Sequence, residues 1–428
     1  MKSFKKLAAL LMCAVLVLGC VAGCHSKDAV VATAPAADSS TISVPAGVYL
    51  AMLLEADSEA RNLVVEQLGD QATDDIDYGK QTVTVDEKNY KFYDYVNMRA
   101  QEICRDYIAT HYLFLKNGCE LTETEQNTMT SYIQYQWAYS GGAYLYGPNG
   151  VSFESFKQYM RVISYERSNL FDYYYDNGGE KEPSEDIIKK GLEDNFLIAN
   201  VIEITTKDSD NKTLTEEKLK EIEAKLQAYA DRINGGEDFK SVNDEYEAEK
   251  KAAEEAEKEE TSSEGTSSAT SSATSSATSS ATSSATSSAT SSATSSATSS
   301  GSAETDKPKP KDSLAKMYGS EDSSASSALF TEFKKLEIGK ATVVKGTDGY
   351  YRMVLRQDIH ADEYYYNEYS NEVTRILYAD EFEKFVEDEG KKLTITYDDY
   401  ELNYLKPKKI DYSQYQAWYS SMYSNYAN

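Results

Sequence analysis

Histidine and cysteine are scarce: 428 residues carry three His and five Cys. That leaves little material for a zinc site or an imidazole-based triad. Positive charge is also in deficit, with 44 Lys+Arg against 71 Asp+Glu and a formal charge of −27, which argues against a nucleic-acid backbone as partner. Long apolar runs are missing apart from Leu7–Leu18, which is too short to span a bilayer as a helix. Composition therefore argues against nucleic-acid binders, metalloenzymes and multi-span membrane proteins. Trp (2) and Phe (12) are few, whereas Tyr is abundant at 35. Tyrosine packs as a half-wet aromatic that still hydrogen-bonds, which suits interfaces and shallow grooves better than a dry core.

Lys2, Lys5 and Lys6 precede the Leu7–Leu18 run, the pattern of a secretory signal. Val21-Ala22-Gly23-Cys24 then resembles a bacterial lipobox, which makes 1–23 a signal peptide and Cys24 the lipid-modified new N-terminus. Two or three acyl chains would anchor the protein durably to the cell membrane on its extracytoplasmic side. Residues 24–41, rich in Ala, Ser and Asp, read as a tether. Cys104 lies in a helical pattern and Cys119 follows Gly118, a helix stop; at ~1.5 Å per residue they stand roughly 20 Å apart. That is too far for a disulfide and predicts two buried thiols.

From Ser267 to Thr298 the sequence Ser-Ser-Ala-Thr repeats eight times. With no large apolar side chain to bury, this stretch cannot offset its ordering entropy. Together with the charged residues before it and Lys307-Pro308-Lys309-Pro310-Lys311 after it, 247–311 reads as a disordered insertion. Within it, the Ala/Glu/Lys-rich stretch up to Glu260 has the composition of a helix extending into solvent.

Elsewhere the periodicity is mostly helical: 42–68, 92–117, a helix opening at Leu121-Thr122-Glu123-Thr124-Glu125, an apolar stripe over 153–174, and a helix opening at Pro183-Ser184-Glu185-Asp186. Thr82–Val85 alternates as a short strand. At Phe196 the period changes, and Phe196–Ile204 reads as a strand followed by an amphipathic helix over Thr215–Ile233. Beyond the repeat, 314–318 and 327–336 read as short helices, and 341–344 and 350–355 flank Gly346-Thr347-Asp348-Gly349 as a hairpin. A helix near 363–387 and a strand over 393–404 follow. Tyr412, Tyr415, Tyr419, Met422 and Tyr426 punctuate a Ser/Asn-rich tail, 406–428, that reads as disordered. The runs Tyr173–Tyr175 and Tyr364–Tyr366 either line a binding cradle or form helix faces at domain contacts. His111, beside Ile108 and Leu115 on one helical face, reads as a packed, hydrogen-bonded histidine.

This order resembles that of the SurA/PrsA-type secreted foldases. The resemblance lies in the lipobox, the Leu-Thr-x-x-Glu and Pro-Ser-Glu-Asp helices, Ala199-Asn200-Val201-Ile202, Gly236-Glu237-Asp238-Phe239, Leu336-Glu337-Ile338-Gly339-Lys340 and Gly349-Tyr350-Tyr351. It covers roughly 42–405 without the repeat. It implies an α+β protein: a mainly helical chaperone domain (42–195 with 361–405) and a small parvulin-like α/β domain (196–246 and 312–360) interrupted by the insertion. The implied role is a lipid-anchored chaperone that binds unfolded or newly secreted polypeptides and needs no cofactor or metal.

Parvulin-type prolyl isomerases work with two core histidines, a nearby Cys or Asp, and a Met/Phe pocket for the proline ring. Here the histidine slots hold Val201 and Tyr351. The acid slot falls on Asp244 and Glu245 in one alignment and on Glu321 and Asp322 in the other. Leu329, Phe330, Phe333 and Met353 would line a substrate groove, or else form the core of a small sheet domain. The resemblance thus implies a degenerate isomerase with weak or absent activity. The alternatives are an active isomerase, with Tyr351 and a nearby acid replacing the histidines, and a surface stalk or adhesion lipoprotein.

Overall fold

The computed structural model describes residues 29–73, 76–176, 178–263, 309–320 and 324–424. The expected signal segment and lipid-bearing Cys24, the Ser-Ser-Ala-Thr repeat and the acids Glu321 and Asp322 lie outside them. The fold is mixed α+β with small antiparallel sheets. The described residues divide into two compact units, one of 29–182 with 380–424 and one of 183–263 with 309–379.

The first unit opens with β1 (Val30–Pro35) and β2 (Thr41–Pro45), paired antiparallel with Ala32 opposite Val44 and Thr33 opposite Ser43. A tether was expected over 24–41, but β1 is a core strand: Val31, Ala32 and Ala34 are all buried. Small apolar side chains suit a strand enclosed on both faces, and the same composition reads as linker when sequence neighbours alone are considered.

Helix α1 (Ala46–Leu68) is enclosed nearly all round over its first half, burying Val48, Tyr49, Met52, Leu53 and Leu54, with Val64 further on, so it forms the centre of the unit. A small hairpin, β3 (Thr82–Val85) and β4 (Lys88–Lys91), leads into α2 (Phe92–Lys116). That helix lays Phe92, Val96, Ile103, Tyr107 and Phe114 into the same core.

Helix α3 (Glu123–Tyr139) starts at a capping box: the Thr122 hydroxyl accepts from the Glu125 N–H, and the Glu125 carboxylate accepts from the Thr122 N–H. The short α4 (Gly142–Leu145) and α5 (Phe153–Met160) follow. A π-helical stretch, Arg161–Glu166, then runs into α6 (Arg167–Tyr175).

The second unit begins with α7 (Glu185–Asn195), which expectation had placed in the helical domain. Its sheet has the order β6-β5-β8-β7, antiparallel throughout. The strands are β5 (Phe196–Thr205), β6 (Lys316–Gly319), β7 (Ala341–Lys345) and β8 (Tyr350–Gln357). Between β5 and β6 come α8 (Glu216–Asn234), capped by Thr215, and α9 (Phe239–Ser263). The start of the 247–311 insertion is therefore helical up to 263, as the Ala/Glu/Lys-rich composition up to Glu260 indicated, rather than disordered. The short helix expected over 314–318 is instead edge strand β6, because Lys316–Gly319 pair with Phe196–Ala199. Helix α10 (Ser324–Phe333) joins β6 to the β7–β8 hairpin.

Helix α11 (Glu363–Gly390) contributes its first part to the second unit and its last part to the first. The strand expected over 393–404 is reduced to β9 (Thr396–Tyr397), which adds to β1, followed by α12 (Asp399–Tyr404) capped by Asp398. The tail expected to be disordered carries α13 (Ser413–Ser424).

Candidate functional site: isomerase slots, clefts and a tyrosine surface

The four-stranded sheet fixes the geometry of the expected isomerase residues through its period of two. On β8, Val354 stands opposite Val201 of β5, and Tyr351 stands opposite Ile204. Val201 packs with Phe330, Phe333 and Val354 on one face. Tyr351 packs with Ile202, Met353 and Leu226 on the other. The two slots therefore lie on opposite faces and converge on no common point. The same parity divides the expected groove: Phe330 and Phe333 are buried under one face with Leu329 beside them, and Met353 is fully buried under the other. These four residues form two core layers and no single groove.

The acids of the first alignment are paired on α8 and α9: Asp244 with Lys240 at 2.5 Å, and Glu245 with Arg232 at 2.7 Å. The sheet carries an ionic cluster that sequence reasoning passed over. Arg352, almost fully buried, donates from Nε to Glu203 at 2.8 Å and from its terminal nitrogen to Asp348 at 2.6 Å. The guanidinium holds the Asp348 carboxyl below its usual range. A second polar cluster joins buried Asn200 to Asp312 at 3.0 Å and Gln357 to Asp312 at 2.7 Å. Both clusters satisfy buried polar groups on the sheet and offer no proton-transfer pair.

In the first unit, His111 Nδ1 meets Glu166 Oε2 at 2.7 Å, and Arg161 Nε donates to Glu166 Oε1 at 2.9 Å. Glu166 is fully buried at the end of the π-helical stretch, so both its oxygens are satisfied by cationic or imidazole donors. The three residues border a cleft of ≈ 340 Å³ walled by Tyr107, Gln158 and the exposed β2 residues Thr41 and Ser43. A second cleft of ≈ 420 Å³ lies among Tyr49, Tyr93, Asn97, Asp399 and Lys406. Neither cleft pairs a nucleophile with a base. Among the described residues no group of three or more His, Cys, Asp or Glu is placed to hold a metal ion, and no helix is long and apolar enough to cross a membrane.

The tyrosine runs, expected either to line a cradle or to form helix faces at contacts, are half core. Tyr174 and Tyr175 are buried against Phe385 and Phe382, and Tyr365 is buried beside Ile188 and Val373. Tyr173 is exposed, and a further group of exposed tyrosines lies on α3 and its neighbours. Helix α3 buries only Met129 and Ile133 and turns Tyr132, Tyr135 (57% exposed) and Tyr139 (70% exposed) to solvent. Tyr144 on α4 and Tyr419 and Met422 on α13 are also exposed, and α13 packs on α4 through a Tyr144–Trp418 stack with centroids 5.9 Å apart. Spacing offered a signal: 132, 135 and 139 follow i, i+3, i+7 among polar neighbours, the pattern of one helical face.

No protein-family model matches this sequence, and no curated protein matches it.

Proposed function

We propose that the protein is a lipid-anchored, extracytoplasmic chaperone of the foldase type, which holds unfolded or newly secreted polypeptides by shallow aromatic contacts. One observation carries the reading: the row of exposed tyrosines on α3, continued by Tyr144 and α13. Aromatic rings exposed in a row on one helical face are the kind of surface that interaction sites present. Tyrosine binds many sequences, because its ring offers area and its hydroxyl keeps the surface soluble. The net charge of −27 adds self-repulsion, which keeps such a surface from associating with copies of itself. Anchoring rests on the lipobox resemblance at Cys24. Isomerase activity is weak or absent in this reading, because Val201 and Tyr351 stand on opposite faces of their sheet.

The test is suppression of aggregation when a chemically unfolded protein is diluted from denaturant beside the mature chain. The wild type should suppress light scattering at near-stoichiometric ratios, and a Tyr132→Ser, Tyr135→Ser, Tyr139→Ser variant should do so several-fold less well. No suppression by folded wild-type protein overturns the proposal.

A further inference from the structure

Gly141, the residue from which α4 starts, has φ +83° and sits beneath α13. A Cβ at this position would lie 2.5 Å from the Trp418 ring and 2.8 Å from the Tyr415 ring, so the missing side chain is what lets the two aromatics seat there. Tyr144 completes the notch, its ring inclined 17° to the Trp418 indole. Tyr415 and Trp418 are three apart on one face of α13, with ring centroids 5.6 Å from each other. They are half-buried, whereas Ser413, Gln414, Gln416, Ala417 and the residues from Tyr419 to Met422 are exposed. Among the described side chains of α13, Tyr415 and Trp418 are thus the two that turn inward.

The root of α13 is held quite differently. Asp411 exchanges two hydrogen bonds with the Asn149 side chain, at 2.8 and 2.9 Å. Next to it, the Tyr412 hydroxyl donates to buried Asp57 at 2.8 Å. Hydrogen bonds thus tie the root, whereas ring contacts at Tyr415 and Trp418 seat the helix that follows it.

We propose that the Gly141 notch is a docking site for client segments bearing two aromatic residues three apart on a helical turn, and that the protein's own Tyr415-Gln416-Ala417-Trp418 occupies it at rest. The inference rests on the chaperone reading and adds to it a substrate class and a built-in competitor. The segment seated in the notch displays the chemistry the site accepts: a Trp stacked on Tyr144, a Tyr flanking Gly141, and small or polar residues between. A helix laid into a groove by residues at i and i+3 is a common mode of peptide recognition. Because the occupant is tethered, its effective concentration is of millimolar order for a short linker, so weak or isolated aromatic pairs are excluded. Segments that also engage the α3 tyrosines gain a second point of attachment and displace it.

The test uses full-length protein and a fluorescein-labelled synthetic peptide with the sequence Ser413–Ser424, read by anisotropy. Substituting Tyr415→Ala and Trp418→Ala in the protein empties the notch. Peptide should then bind at least tenfold more tightly than to wild type, and a peptide with both aromatics replaced by Ala should bind neither protein. Adding Gly141→Leu to the emptied variant should abolish binding. The Ala-substituted peptide makes the same test without altering the protein, should the Gly141 variant fail to fold. Equal binding to wild type and emptied variant, or binding to neither, overturns the inference. If that happens while wild type still suppresses client aggregation, the notch proposal falls and the chaperone reading stands. Tight binding without client holding would show the reverse.

Discussion

Asp57 and Tyr412, far apart in sequence, are joined by a 2.8 Å hydrogen bond in the interior of the first unit. The Asp57 carboxylate is fully buried; Oδ2 also accepts from Arg61 Nε at 2.5 Å, and Oδ1 has no partner. The Arg61 guanidinium in turn lies 4.5 Å from the centre of the Tyr412 ring. A buried carboxylate with one oxygen unsatisfied depends heavily on the donors it has. Tyr412→Phe removes one donor and should lower stability by about 1–2 kcal/mol, seen as a lower midpoint with unchanged slope in urea unfolding. An unaltered midpoint would mean that the tail is not tied to the core.

Asp106 on α2 gives the first unit a pH dependence of definite sign. Burial raises its carboxyl to about 6; Arg167 and Arg99 oppose the shift, and Glu383 and Glu387 add to it. A folded-state value above the unfolded one means that this group's stabilising contribution is fully present below about pH 4 and is lost as pH rises through about 6. Asp106→Asn keeps the shape without the ionisation. The variant should gain on the wild type across that window, ending about 1–3 kcal/mol more stable at pH 7. Urea unfolding of both proteins at pH 4.5 and pH 7 checks this, and a constant difference between the two pH values would refute it.

The sequence carried the local periods well, because local periods are set by burial along one element. The strand from Phe196, the Thr215-capped helix, the Gly346–Gly349 hairpin and the long α2 were all legible from spacing and caps. What was not legible depended on partners distant in the chain. Residues 30–35 look like linker until β2 and β9 flank them, 316–319 like a helix until β5 pairs with them, and the Ser-rich tail like coil until Trp418 finds Gly141. At the candidate site the choice between groove and core stayed open for the same reason. Phe330, Phe333 and Met353 are apolar residues of one small domain, and only the β5–β8 register shows that they belong to opposite faces.

The two cysteines of the described fold should differ in reactivity. Cys104 is fully buried, with its thiol pushed up to about 12 by burial, and Cys119 is half-buried with its thiol raised by the same cause. The thiolate is the nucleophile, so both should react slowly at pH 8, and Cys104 the more slowly. Timed alkylation followed by peptide mapping should show Cys119 modified at least tenfold faster in native protein. The two rates should become similar in denaturant. Equal native rates would place Cys104 near the surface.

The parvulin resemblance makes the sharpest demand on the structure. Rotating an X-Pro bond crosses a barrier of about 18–20 kcal/mol, so catalysis requires groups that close around one twisted amide. A pair such as Tyr351 with Val201 cannot do so, because Tyr351 stands opposite Ile204, an odd number of residues along β5 from Val201, and such positions send their side chains to opposite sides of the sheet. Tyr351 instead leans on the α8 layer, with Lys345 Nζ 6.0 Å from its ring centre. The cis-to-trans rate of a short X-Pro peptide should therefore be unchanged by the mature protein at micromolar concentration, and Tyr351→Phe should leave it unchanged as well. Acceleration lost on Tyr351→Phe would require the phenol to reach a substrate on the α8 face, and would replace the holding chaperone with a working isomerase.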